Sequence, residues 1–163
     1  MKIQKDSAPY AILLGGLVAG TVDIGSAAVI NLLSPVVIMQ AIASGLLGAD
    51  SFKGGAGSAV AGVLLQWGMA LIIAAIYVGV MSRLPELRKR WVFSGTISGV
   101  IIFFVMNYLV LPLSAAPFRP KFSLEGFEHV FKPDKFVENL IAMILFGLIV
   151  AFFAKDIGAE RKS

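Results

Sequence analysis

Tyr10-Ala-Ile-Leu-Leu-Gly-Gly-Leu-Val-Ala-Gly-Thr-Val-Asp23-Ile-Gly-Ser-Ala-Ala-Val-Ile-Asn31-Leu-Leu33 is the stretch that decides the fold. A helix crosses a bilayer with about 20 apolar residues, and this run is long enough. A carboxylate near its middle, Asp23, is costly in lipid and must face protein, find a partner or take up a proton. The run therefore predicts a membrane-spanning helix and marks one place to look for chemistry.

Three further apolar segments follow, at about Gly57–Met81, Trp91–Pro112 and Phe136–Ala154. The whole chain is 58% hydrophobic and 15% charged, with a mean hydropathy of +0.86. Soluble domains carry about 25% charged residues. The 163 residues are expected to form a single transmembrane domain, an all-α four-helix bundle in the membrane. The chain has no cysteine, which removes disulfides, thiol nucleophiles and iron–sulfur clusters from consideration. Its single histidine, His129, cannot by itself provide a bis-histidine haem or a His-rich zinc site. No cofactor and no metal are expected. The formal charge of +4 is read as topogenic, with no nucleic-acid partner, because the basic residues cluster at segment ends.

Lys2 and Lys5 precede the first segment, and Ser26-Ala27-Ala28 has the small residues of a signal-peptide cleavage site. The apolar run continues past that point and contains Asp23, so a retained span is the reading taken. Nine basic residues fall on one side of the expected spans: Lys2, Lys5, Arg83, Arg88, Lys89, Arg90, Lys155, Arg161 and Lys162. Five fall on the other: Lys53, Arg119, Lys121, Lys132 and Lys135. The positive-inside rule predicts both termini and the Ser82–Arg90 loop in the cytoplasm. The expected location is a bacterial inner membrane.

The two far-side, periplasmic connections hold apolar pieces. Pro35 breaks the first segment, and Val36–Leu47 is again apolar but too short to cross. It reads either as an amphipathic surface helix or as a re-entrant half-helix, with Ser34 as cap and Pro35 at the first helical position. Gly54-Gly55-Ala56-Gly57 is a hinge and lacks the phosphate-loop pattern. In the second connection Leu124, Phe127, Val130 and Phe131 recur at helical spacing behind Ser123, which predicts a short interfacial helix with a solvated His129.

Gly16-x-x-x-Gly20 and Gly95-x-x-x-Gly99 stand 79 residues apart, a faint internal repeat or a coincidence. With Ser58 and Gly62 they form the small-residue faces expected to bring helices together. The fourth segment has only Gly147 among bulky residues and is expected at the periphery or at an oligomer contact. Steps of three and four place Asp23 on the face of Gly16, Gly20, Ala27 and Asn31. Gln66, Asn107 and Asn31 complete a candidate polar cluster with it. Without a cation at mid-membrane the acid is expected neutral. It is then either a proton- or cation-responsive group or a hydrogen-bonded structural acid.

Three stretches carry a resemblance. They are Ile12–Gly25, Phe104–Pro117 with Asn107 and Pro112, and Asn139–Phe152. Together they resemble small bacterial inner-membrane proteins of unknown function, similar in layout to the YagU-like group. That resemblance implies an inner-membrane location and four spans, and it implies no activity, substrate or site residue. The chain shows no Ser/His/Asp set, no H-E-x-x-H and no acidic pair within a span, so an enzyme is not expected. Three functions are expected in turn. The first is a non-enzymatic accessory or structural subunit acting through helix contacts with itself or a membrane partner. The second is a small transporter or channel-forming oligomer using Asp23. The third is a binder of lipid or quinone.

Overall fold

The first apolar run becomes α1, Ala8–Asn31. Ser7 caps it by accepting a hydrogen bond from the Tyr10 amide, and Pro9 sits in its first turn where no amide is needed. At 1.5 Å per residue it reaches about 36 Å, enough for the hydrocarbon core. It ends at Leu32, whose left-handed backbone (φ 53°) returns amide hydrogen bonds to Ala28 and Val29.

The computed structural model describes residues 7–117 and 133–157, and among these every element is helical with no strand. The helix expected over Leu124–Phe131, with Ser123 and His129, lies outside the described residues. After α1 come α2 (Pro35–Leu47), a 3-10 turn (Gly48–Lys53), α3 (Gly55–Arg83) and the short α4 (Pro85–Lys89). Then α5 (Trp91–Val105) runs through a π-helical turn, Met106–Val110, into a last turn, α6 (Leu111–Leu113). The final helix, α7, is Pro133–Ala154. Among the described residues five helical stretches, Pro35–Lys53 included, are long and apolar enough to cross a membrane by length and composition.

Helix α1 lies between α3 and α7, and α7 lies between α1 and α5. Helix α2 packs along the first half of α3, while α3 and α5 barely touch. The contacts are set by small residues. A methyl group on Gly16 would stand 3.1 Å from the Leu71 Cα, and one on Gly20 would stand 3.0 Å from the Ala70 Cβ. On Gly62 it would collide with the Met39 carbonyl of α2, and on Gly99 with the backbone of Met143 and Ile144 in α7. Gly95 sits against Gly147 and Ala151. Ser58 is buried and its hydroxyl donates to the Gly55 carbonyl. The core where α1, α3 and α7 meet is correspondingly fine-grained, with Ala11, Ala19, Ala70, Ala74, Ala151 and Ala154 all at or near zero exposure.

One expectation is corrected here. Helix α7 is not peripheral: it is sandwiched between α1 and α5. Its bulky residues hide a flat stripe, Ala142, Gly147, Val150, Ala151 and Ala154, which is buried. Of its bulky residues Phe146 is in the core at 3% exposure, while Phe152 points outward at 48%.

Helix α2 begins as the spacing suggests, with Ser34 accepting from the Val37 amide and Pro35 at the first position. Its polarity is the reverse of a surface helix. Gln40 and Ser44 are buried against protein, while Val36, Leu46 and Leu47 are exposed. The Gln40 amide donates to the Gly55 carbonyl at 3.1 Å, and the Gly45 carbonyl accepts from the Ala115 amide at 2.8 Å. Helix α2 is thus fixed to both α3 and the end of the α5–α6 segment.

Candidate functional site: a chamber around Asp23

Asp23 is carried by α1 at the edge of its contact with α3. The Gln66 side-chain amide donates to Asp23 Oδ2 at 2.7 Å. Next to it, the Trp67 indole N–H donates to Thr21 Oγ1 at 3.1 Å. Two polar pairs therefore lock the α1–α3 register just beyond the Gly20–Ala70 contact. An interhelical hydrogen bond of this kind in a membrane is worth about 0.6–2 kcal/mol.

The acid opens on a chamber of about 180 Å³ to which α1, α3, the α5 segment and α7 all contribute. Its polar lining is Asp23, Gln66, Asn107 and Asn139; its apolar lining includes Met69, Met106, Met143 and Phe146. At about 30 Å³ per water, the space holds a few waters or one small polar group. Among the described residues no lysine or arginine lines it. Gln66 uses one acceptor position of the carboxylate, which offers about four in all. The remainder is available to whatever occupies the chamber.

The π turn explains how Asn107 arrives there. Pro112 has no amide, and its ring would clash with the carbonyl four residues back, at Tyr108, in a regular helix. The wider turn closes instead with the Leu111 amide on the Met106 carbonyl. It brings Met106 and Asn107 to the chamber and Val110 and Leu111 to the space beyond. The Asn107 amide donates to the Phe103 carbonyl at 2.8 Å, and the residue lines the chamber. Single π turns often occur at functional sites.

Three of the four residues expected in a polar cluster, Asp23, Gln66 and Asn107, share the chamber. Asn31 does not: its amide donates to the Ala27 carbonyl, and its oxygen accepts from Lys135 at 3.2 Å. It lies two turns on, lining a wider space of about 470 Å³ between α1, α2, α3 and the end of the α5–α6 segment. That outer space and the chamber share Asp23, Ala27, Gln66, Met69 and Met106. Asn139 completes the chamber and was legible in principle: it stands three, four and seven residues before Ala142, Met143 and Phe146, the inward stripe of α7. Among the described residues no group of three or more His, Cys, Asp or Glu is placed to hold a metal ion.

Comparison with protein-family models, with curated proteins and with solved structures finds no match for this chain.

Proposed function

We propose that this is a non-enzymatic four-span inner-membrane protein whose central chamber receives a small cationic or hydrogen-donating solute at Asp23, as a small transporter does. The observation that carries the reading is a membrane-embedded carboxylate, bonded to Gln66, facing a chamber that no basic residue lines among the described residues. A carboxylate so placed favours a positively charged or proton-donating guest. In this reading α1, α3, the α5–α6 segment and α7 span, with both termini and the Arg88-Lys89-Arg90 loop in the cytoplasm. Helix α2 is a re-entrant half-helix. Its 13 residues reach only about 20 Å, and its inward Gln40 and Ser44 suit a helix with lipid outside. It roofs the space that leads from the far side to Asp23.

The rival reading, an accessory or structural subunit acting through helix contacts with itself or a partner, rests on the glycine faces and on the lack of any catalytic constellation. Those faces are taken up inside the chain: Gly16 and Gly20 by α3, Gly62 by α2, Gly95 and Gly99 by α7.

The test is uptake of methylammonium into proteoliposomes by wild type and Asp23→Asn. The amide is nearly isosteric with a neutral acid, so membrane levels are expected to be unchanged. Loss of uptake with normal levels supports the reading. Equal uptake by both proteins reduces Asp23 to a structural acid and sinks it.

A further inference from the structure

Helices α3 and α5 stand apart over most of their length, and between them runs an apolar cleft of about 480 Å³. It is pinned at the end near Arg83 by a buried hydrogen bond between the Tyr77 and Ser94 hydroxyls, 2.8 Å apart. Ile72, Ile76, Ile97 and Ile101 form its outer walls, each exposed on the helix surface that faces lipid. At its inner side, Met69, Ile73, Ile102 and Met106 line the cleft and the Asp23 chamber alike. A hydrocarbon slot open to the bilayer and a carboxylate chamber are thus separated by one layer of side chains. Two of the four are methionines, the most adaptable apolar residues.

Resting on the reading of Asp23 given above, we propose that the guest is a single-chain amphiphilic amine: its ammonium head enters the chamber and its alkyl tail lies in the α3/α5 cleft. Charge complementarity sets the head, since the chamber is lined by a carboxylate and three side-chain amides and, among the described residues, by no cation. The cleft sets the tail. It is nearly devoid of polar lining apart from Ser94, Ser98 and the Tyr77 hydroxyl, and it faces the phase in which such a molecule dissolves. A water-soluble solute gains nothing from that opening, whereas an amphiphile reaches the chamber without leaving the membrane.

The experiment uses the full chain in lipid nanodiscs with dodecylamine carrying a photoreactive diazirine in mid-tail, and maps the adducts by mass spectrometry. Methylammonium uptake is measured in parallel. Wild type is expected to concentrate adducts on Ile72, Ile76, Ile97 and Ile101, and Asp23→Asn to lower them at least tenfold. Adducts spread evenly over outward residues such as Val60 and Ile141 overturn the proposal. If Asp23-dependent methylammonium uptake persists in that case, the functional reading stands and only the amphiphile falls. Cleft adducts that ignore Asp23→Asn overturn the proposal too, because they make the slot a site for any alkyl chain. Should Asp23→Asn fold poorly, the same diazirine tail on dodecanol replaces the variant: at least tenfold fewer cleft adducts than the amine support the proposal, and equal labelling overturns it.

Discussion

Helix α5 has two faces that could hardly differ more. On one, Gly95 and Gly99 press against Gly147 of α7 so closely that a methyl group on any of the three would meet backbone. On the other, Ile97, Ile101 and Ile102 keep α3 at a distance and leave a cleft. Hydropathy does not separate these faces, because lipid tails are as apolar as isoleucine and give helices no hydrophobic reason to associate. Size separates them. Small residues let backbones meet and gather dispersion contacts, while β-branched side chains are stiff and hold a neighbour off. The chain has used glycine to close one interface and isoleucine to leave another open.

The sharpest way to break that contrast is Gly99→Leu. The added side chain would enter the backbone of Met143 and Ile144. Overpacking a close contact costs about 1–3 kcal/mol and more where backbone must move. The expected result is a large fall in thermal midpoint in detergent and in membrane yield. An unchanged midpoint would mean that α5 and α7 are not packed through their glycines.

Gln66→Leu comes next. It keeps the volume and removes the donor to Asp23, with an expected loss of about 1–2 kcal/mol in a denaturant titration. Asp23→Ala, which removes the acceptor, paired with it should show coupling in a double-mutant cycle. Additive effects would show that the 2.7 Å bond between the two side chains contributes nothing to stability.

How much of this was legible beforehand follows the same physics. The α1 stretch announced itself, because a long apolar run with one acid has few solutions. Helical spacing set Asp23 on the face of Gly16 and Gly20 and marked Gly95 and Gly99 as contact points, while its pairing with Gln66 rested on an amide able to donate at similar depth. Spacing could not say which helix each glycine would meet, and every such face was open to a partner protein until its neighbour was known. The place of α7 was misjudged because bulky residues are conspicuous in a sequence and alanines are not, yet Ala142, Ala151 and Ala154 decide its packing. The α3/α5 cleft was invisible for a deeper reason. A gap between helices is a property of how two faces fail to fit, and neither face carries that information alone.

Tyr77→Phe tests the pin at the closed end of the cleft. It removes the hydroxyl that meets Ser94 and leaves the ring buried. Hydrogen bonds between membrane helices average about 0.6 kcal/mol, so a shift of that order is expected. A loss several times larger would make this bond, rather than the α5–α7 glycines, the main constraint on α5.

The smallest effect is expected from Ile101→Ala, on the open face of the same helix. Ile101 is 56% exposed and has no tight neighbour to lose, unlike Gly99 two residues away. In the bilayer its side chain exchanges protein for lipid contacts of nearly equal worth, so the change should stay within about 0.5 kcal/mol. Read beside Gly99→Leu, this pair isolates packing from apolarity, since both positions are apolar in every variant. A substantial loss at Ile101 would mean that α3 and α5 close on one another in the membrane. The cleft would then be too narrow for an alkyl chain, and the route from lipid to Asp23 would be shut.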